Sequence, residues 1–189
     1  MINEDQRLNR KVNINGNCKE LIKLAESRLD DASKDVNVAK VLFYHLADKQ
    51  PHELYLMYDE EVSSELEAKF LAGMEEYYQG KPIQYIKGVE NFFGRDFKVN
   101  EDVLIPRYET EELVENILYR IDDYFAEYQS ITLCDVGTGS GAIATSLAFR
   151  RTASKKFFAT DISLKSSLQS LKIMQRIWVL ILNLWLEIC

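Results

Sequence analysis

Cysteine, proline, basic charge and long apolar runs are all scarce in this 189-residue chain. The three cysteines, Cys18, Cys134 and Cys189, include no C-x-x-C pair and are too scattered for a disulfide framework, which favours a reducing compartment. Lys and Arg total 23 against 30 Asp and Glu, and the resulting formal charge of −7 argues against binding nucleic acid by neutralising its phosphates. The N-terminal 17 residues lack the apolar core of a secretory signal, and the apolar run 177–186 is too short to cross a bilayer as a helix. We expect a cytoplasmic protein that contacts neither a membrane nor nucleic acid directly.

What the chain does have is the composition of a globular protein, with 47% hydrophobic and 28% charged residues, which excludes a wholly disordered chain. Residues 18–80 contain little glycine, and their apolar positions recur every three or four residues, which predicts a helical bundle. The clearest helix begins at Ser64, a predicted cap, and stops at Gly80-Lys81-Pro82. The predicted inner faces comprise Leu21, Leu24, Ala25 and Leu29, then Val38, Val41, Leu42, His45 and Leu46, then Leu66, Phe70, Met74 and Tyr77.

After Pro82 the pattern changes to aromatic and β-branched residues mixed with glycine, which predicts a linker and β-hairpin over residues 81–106. A helix opened by three glutamates follows, and then strand 131–136, a glycine turn, a helix and a second strand ending in Asp161. Strand, helix and strand within about 30 residues make a βαβ unit. The predicted inner side of the helix before it comprises Leu113, Ile117, Ile121 and Phe125.

The glycine turn holds the strongest chemical signal. Glycines between a strand and a helix let the backbone turn sharply and let a ligand approach it closely. Asp161, at the tip of the next strand and 22 residues after Gly139, can accept hydrogen bonds from both hydroxyls of a ribose. An adenosine-containing ligand fits this pattern. The candidate ligand-binding residues are Asp135, Gly137, Thr138, Gly139, Ser140, Gly141 and Asp161.

Two ligand classes fit the spacing, and a glycine turn that binds no ligand is the third alternative. Gly137-x-Gly139-x-x-Ala142 also satisfies the dinucleotide pattern, so a nicotinamide or flavin cofactor is formally open. Asp135, two residues before the first glycine, would repel a pyrophosphate and attract the amino group and sulfonium of S-adenosylmethionine. This charge favours S-adenosylmethionine.

Several separated motifs occur together: GKPIQYIKG (80–88), FFG (92–94), LIPRYETE (104–111) and DVGTGSGAIA (135–144). In this order and spacing the chain, from residue 20 to about 165, resembles the peptide-chain release factor glutamine methyltransferases of the HemK type. Tyr108 departs mildly from the family pattern. The resemblance implies an α/β protein with a helical substrate-recognition bundle (1–80), a β-hairpin linker (81–107), and the start of a Rossmann-like S-adenosylmethionine-dependent methyltransferase domain (108–165).

The resemblance also implies the chemistry, which is methyl transfer to the side-chain amide nitrogen of a release-factor glutamine. That nitrogen is a poor nucleophile, and the family positions it with an Asn-Pro-Pro-Tyr motif. No such motif occurs in these 189 residues, whose three prolines, Pro51, Pro82 and Pro106, all precede the glycine turn. We therefore name no catalytic residue. We expect a C-terminally truncated, inactive form of such a methyltransferase, because the strand that would form the other wall of the ligand crevice is missing from these residues. Weak or no S-adenosylmethionine binding and no methylation would follow. Strand 131–136 would keep an unpaired edge and an uncovered apolar face, which favours aggregation.

The apolar tail, residues 166–189, departs from the family pattern. One choice of codons for 171–183, read two bases later, encodes KNNAKNLGVNIE, which resembles the family's continuation. We therefore expect that a frameshift shortly after Asp161 produced this tail; a native apolar strand or helix, and an interfacial anchor, are the alternatives.

Three other features carry weaker signals. His45 and His52 are seven residues apart, which does not suit a pair of metal ligands on one helix, and we expect no metal site. Cys134 lies in the strand predicted as buried, which indicates packing. Arg107 either faces cofactor or substrate, as the resemblance suggests, or pairs with the nearby glutamates.

The alternative functions of the chain are a non-catalytic release-factor-binding module and a nicotinamide-dependent oxidoreductase fragment.

Overall fold

A computed structural model describes residues 17–128, 130–150, 155–163 and 178–179. The chain divides into two compact units, Met1–Lys87 and Gly88–Cys189. The first contains helices α1 (Cys18–Asp31), α2 (Asn37–Leu46), α3 (Ser64–Tyr78) and α4 (Ile83–Lys87), with a 3₁₀ helix, Glu53–Met57, between α2 and α3. The second contains strands β1 (Val89–Phe92) and β2 (Arg95–Lys98), helix α5 (Glu109–Phe125), strand β3 (Ile131–Val136), helix α6 (Ala142–Arg150), and strands β4 (Lys155–Thr160) and β5 (Trp178–Val179).

Two helices of the first unit, α1 and α3, begin where a side-chain oxygen satisfies a free backbone N–H group. Asn17 accepts a bond of 3.1 Å from the N–H of Glu20 at the start of α1. At the start of α3 the cap is Ser63, whose hydroxyl accepts a bond from Leu66, and not Ser64 as predicted. The side chain one residue earlier is the one left outside the helix and aimed at its free N–H groups.

The core of this bundle confirms most of the predicted inner faces. Phe70 and Met74 are buried, and Leu66 and Tyr77 pack against them. Leu24 was predicted inside but is 39% exposed, and Ile22 is buried in its place. The reason is helical geometry, because the buried stripe of α1 runs through positions 18, 21, 22, 25 and 29 and leaves position 24 beside it.

In α2 the buried stripe is also shifted from the prediction. Val38 and Leu42 are buried as predicted, while Val41, His45 and Leu46 are only partly buried. Ala39 and Phe43 complete the buried stripe, and the Phe43 ring meets Phe70 edge-on, with centroids 5.5 Å apart.

The second unit opens with the predicted β-hairpin. Its strands pair antiparallel from Val89 opposite Lys98 to Phe92 opposite Arg95. Phe93 and Gly94 form the two-residue loop, and both have positive φ, 52° and 71°, as a type I′ turn requires. The residues just before the hairpin, assigned to the linker by sequence, form helix α4 and fall in the first unit.

Helix α5 confirms the predicted inner positions Ile117 and Ile121 but not Leu113 and Phe125. Val114 and Ile121 are buried and Ile117 is partly buried, whereas Leu113 and Phe125 are 49% and 46% exposed. The packed stripe is therefore centred between Val114, Ile117 and Ile121, one position round the helix from the predicted one.

Strands β3 and β4 pair in parallel from Ile131 opposite Lys155 to Val136 opposite Thr160, with α6 as the connection. This confirms the predicted βαβ unit. Strand β5 pairs with the other side of β4, Trp178 opposite Phe158 and Val179 opposite Ala159. In the described part of the chain, β3 is therefore an edge strand.

Within the described residues, no helix is long and apolar enough to cross a membrane. The predicted frameshifted tail, 166–189, lies outside the described residues except for the two residues of β5. Its origin stays a prediction.

Candidate functional site

The glycine turn between β3 and α6 has the geometry that its sequence predicts. Gly137, Gly139 and Gly141 have φ of 79°, 54° and 80°, values that residues with a side chain rarely adopt. The N–H groups of Gly137 and Thr138 both donate to the carbonyl oxygen of Thr160, at 2.8 and 2.9 Å. These two hydrogen bonds attach the turn to the end of β4. Their acceptor is a backbone carbonyl, which a sequence pattern does not reveal.

Asp161 closes the turn from the neighbouring strand. Its Oδ2 accepts a bond of 2.8 Å from the N–H of Gly139, and its Oδ1 accepts one of 2.8 Å from the N–H of Ser163. The structure therefore brings together two candidate residues that are 22 positions apart in the sequence. The carboxylate is fixed at the tip of the strand.

Asp135 lies under the turn at the end of β3. Its Oδ2 accepts bonds from the Thr138 hydroxyl at 2.8 Å and from the N–H of Ala144 at 3.3 Å. The carboxylate thus sits at the N-terminus of α6, where the helix dipole stabilises negative charge. Sequence reasoning identified Asp135 but not its partner Ala144, since a backbone N–H has no residue signature.

Thr138 and Ser140, predicted to contact the ligand, have buried side chains, 8% and 4% exposed. The Thr138 hydroxyl is used within the turn, where it binds Asp135. In this geometry the two residues support the turn, and their contact with a ligand would come from the backbone.

The glycine turn combines open space beside its backbone with negative charge. A Cβ placed on Gly137 or Gly139 would meet no heavy atom within 4 Å, so the backbone there is open to a ligand. Two carboxylates, Asp135 and Asp161, form hydrogen bonds with this turn. Such a pair suits a ligand with a cationic centre and hydroxyl donors, and it opposes a pyrophosphate.

An apolar cleft of about 250 Å³ lies beside β3 in the same unit. Leu113 and Ile117 of α5 line it with Leu133 of β3, Leu147 of α6 and Phe157 of β4. At the ends of the strands, Val136 is 81% exposed and Ile162 is 92% exposed. Apolar side chains at the strand ends beside the glycine turn are therefore exposed in the described part of the chain.

Cys134 corrects the sequence interpretation. It was predicted to pack inside a buried strand, but it is exposed. Burial along β3 alternates between partly buried and exposed positions, because α5 and α6 pack against one side of the strand only. Thr132, Cys134 and Val136 lie on the other side.

The remaining candidates lie apart from the turn in sequence. Arg107 is exposed, and its guanidinium forms no ion pair among the described residues. The pairing with glutamates, one of the two predicted alternatives, is therefore not found. A role of Arg107 toward cofactor or substrate stays a prediction. His45 Nε2 donates to the carbonyl oxygen of Lys87 at 3.2 Å, and His52 is exposed. Three potential metal-ligating side chains nowhere converge in the described ranges.

Comparison with known proteins identifies one family model and several relatives that this chain resembles. Residues 20–88 match the family model of the PrmC N-terminal domain. The release factor glutamine methyltransferase of Bacillus subtilis is 40% identical over 150 residues, which cover 79% of this chain and 51% of that protein. The proteins of the same name from Bacillus anthracis and Chlorobaculum tepidum are 40% identical over 129 residues and 39% identical over 141 residues.

These two alignments cover 68% and 74% of this chain, and 45% and 46% of the respective relatives. The chain thus spans about half the length of the curated relatives it matches. The resemblance predicted from the sequence is confirmed.

Proposed function

The chain is related to the release factor glutamine methyltransferases, and from this relationship we propose that its first unit recognises a peptide-chain release factor. The second unit would then hold S-adenosylmethionine at the start of a Rossmann-like domain. The observation that carries the cofactor assignment is the tie of Asp161 to Gly139 beside an open glycine backbone. A cytoplasmic location, where translation takes place, belongs to the same proposal.

The residues of the turn suit this cofactor by charge and by hydrogen bonding. Asp161 has one backbone donor on each oxygen, and since a carboxylate oxygen accepts more than one bond, both retain capacity for ribose hydroxyls. Asp135 contributes negative charge toward the amino group and the sulfonium. Gly137 and Gly139 allow close approach because they have no side chain. The bound cofactor would supply an electrophilic methyl group.

Methyl transfer asks more of a site than cofactor binding. The amide nitrogen of glutamine is weakly nucleophilic, because its lone pair is delocalised into the carbonyl, so a site must accept its hydrogens and aim it at the methyl group. The resemblance assigns that task to Asn-Pro-Pro-Tyr, which these 189 residues do not contain. We propose that the 189-residue chain alone binds the cofactor weakly and transfers no methyl group.

A non-catalytic release-factor-binding module is the second candidate. It is favoured by the separate core of the first unit, which among the described residues comprises twelve buried side chains of its own helices, and by the family match over residues 20–88. Such a unit could dock on a release factor without modifying it. A nicotinamide-dependent function, the remaining alternative, is disfavoured by the position of Asp135 before the glycines.

The test is a pair of titrations followed by an activity assay. Calorimetry or NMR with S-adenosylmethionine should detect binding in the millimolar range or weaker, reduced further in Asp135→Asn and Asp161→Asn, while NAD produces no response. Incubation with recombinant release factor and the cofactor should leave the glutamine unmodified by mass spectrometry. Preferential NAD binding would contradict the cofactor assignment, and a methylated glutamine would contradict the proposed inactivity.

A further inference from the structure

The 3₁₀ helix of the first unit presents two apolar side chains to solvent. Tyr55 is 63% exposed and Leu56 is 79% exposed, while their neighbour Leu54 is 2% exposed and belongs to the core. We refer to these two exposed side chains as the Tyr55–Leu56 patch. The bundle leaves this patch outside its own core, so packing within the bundle does not account for these two apolar side chains.

The backbone just after the patch is held in place by the start of α1. The N–H of Lys19 donates to the carbonyl of Tyr58 at 3.1 Å, and the N–H of Cys18 donates to the carbonyl of Glu60 at 3.0 Å. The rings of Tyr55 and Tyr58 meet edge-on, with centroids 5.2 Å apart. A surface fixed before binding loses little conformational entropy when a partner docks, which is typical of the anchor residues of interfaces.

The sequence around the patch is predominantly acidic. Between Lys49 and Lys69 the sequence contains six carboxylates and no Lys or Arg. Three of these, Asp59, Glu60 and Glu61, are consecutive and exposed. Lys40, whose pKa is raised chiefly by its hydrogen bond to Glu26, is held by that carboxylate at 2.9 Å.

We propose that the Tyr55–Leu56 patch is the docking surface for a basic segment, with an apolar anchor, on the protein that this unit recognises. The inference rests on the proposed function, which makes that protein the release factor. The acidic surroundings select among occupants. They would repel phosphate groups of nucleic acid or anionic lipid, and they would repel the same patch on a second copy of this chain.

The direct test measures binding of the full 189-residue chain to immobilised recombinant release factor. The double substitution Tyr55→Ala/Leu56→Ala should weaken binding about tenfold or more, mainly through faster dissociation. Leu71→Ala is the matched control, because Leu71 is a 40% exposed leucine of the same unit on α3, and it should leave the affinity unchanged. Circular dichroism checks that each variant is folded.

Charge supplies an independent measurement. Asp59→Asn/Glu60→Gln/Glu61→Gln should slow association and flatten its dependence on salt, whereas Asp30→Asn/Asp31→Asn, at the exposed end of α1, should do neither. If the wild-type chain binds and both patch variants bind equally well, the inference is wrong and the proposed function stands. If the wild-type chain does not bind, recognition of the release factor fails with it, while the cofactor titration remains a separate test of the second unit.

Discussion

The N–H of Gly139 donates a 2.8 Å hydrogen bond to Oδ2 of Asp161, and this bond joins the glycine turn to the tip of the neighbouring parallel strand. The carboxylate therefore has a structural role before any ligand arrives. Because its Oδ1 also accepts the N–H of Ser163, Asp161 organises two backbone segments at once. Stability and ligand binding should thus both respond to its substitution.

Replacing Asp161 should destabilise the second unit in a graded way. Asp161→Ala removes two hydrogen bonds that a carboxylate accepts from partly buried N–H groups and should lower the free energy of unfolding by about 1–3 kcal/mol. Asp161→Asn keeps one oxygen and should cost less. Urea unfolding followed by circular dichroism measures the difference, with the exposed Asp123→Ala as control. An alanine variant as stable as the wild type would show that these bonds do not support the turn.

Gly139 should be sensitive to backbone conformation and not to space. A Cβ there meets nothing within 4 Å, but φ is +54°, so Gly139→Ala should cost about 1–2 kcal/mol of stability from left-handed strain alone. Gly139→Asn should cost less, since asparagine tolerates this region better. Thermal unfolding of both variants checks the order; a larger loss in the asparagine variant would indicate that side-chain size matters instead.

The site was more predictable than its surroundings. Glycines between a strand and a helix predict a sharp turn with positive φ. The position of Asp161 follows from the parallel pairing of two strands. A local sequence pattern was therefore sufficient to predict both features. The exposure of Cys134 could not be read in the same way. Whether the second side of a strand is covered depends on residues far along the chain, and the sequence of β3 is equally apolar in either case.

The helices show the same limit on a smaller scale. The existence of the helices follows from apolar spacing, whereas the exact cap does not: Ser63 and not Ser64 caps α3, although both are serines. Which stripe is buried depends on the partner helix, and Leu24 and Leu113 are exposed although they share apolar spacing with buried neighbours. When several adjacent positions of a helix are apolar, the sequence pattern does not distinguish two buried faces that differ by a rotation of one residue.

Gly73 should tolerate alanine and reject valine. A Cβ at this position would lie 2.9 Å from Cδ2 of Leu42 and 3.2 Å from Cγ2 of Ile86. In Gly73→Ala the gain of about 1 kcal/mol in helix propensity offsets a similar cost of crowding, so the net change should be small. Gly73→Val adds two methyl groups and should destabilise the first unit by about 2 kcal/mol or more. Denaturant midpoints decide between these outcomes, and a neutral valine would mean that α2 and α4 yield easily.

Glu111 should stabilise the hairpin loop. Its Oε1 accepts a 2.8 Å bond from the N–H of Phe93, a residue held at a φ of +52° that non-glycine residues rarely adopt. Glu111→Ala should therefore cost about 1–2 kcal/mol and loosen the loop. Hydrogen exchange at the Phe93 amide provides the readout. Glu112→Ala, in the same turn of α5, is the matched control and should leave that amide protected.

Cys18 should give the first unit a stability that declines at alkaline pH. Burial, with a smaller effect of Glu60, raises the pKa of this thiol from 9.0 to about 11. In the unfolded chain the thiol ionises near its ordinary pKa, whereas in the folded chain it keeps its proton, so its contribution is complete below pH 9 and is lost as the pH rises toward 11. Urea unfolding at intervals from pH 8 to 10.5 measures the slope. Cys18→Ala should reduce the slope without abolishing it, because burial also raises the pKa of Tyr58 and Tyr78 in the same unit. An identical slope in the alanine variant would show that the thiol does not contribute.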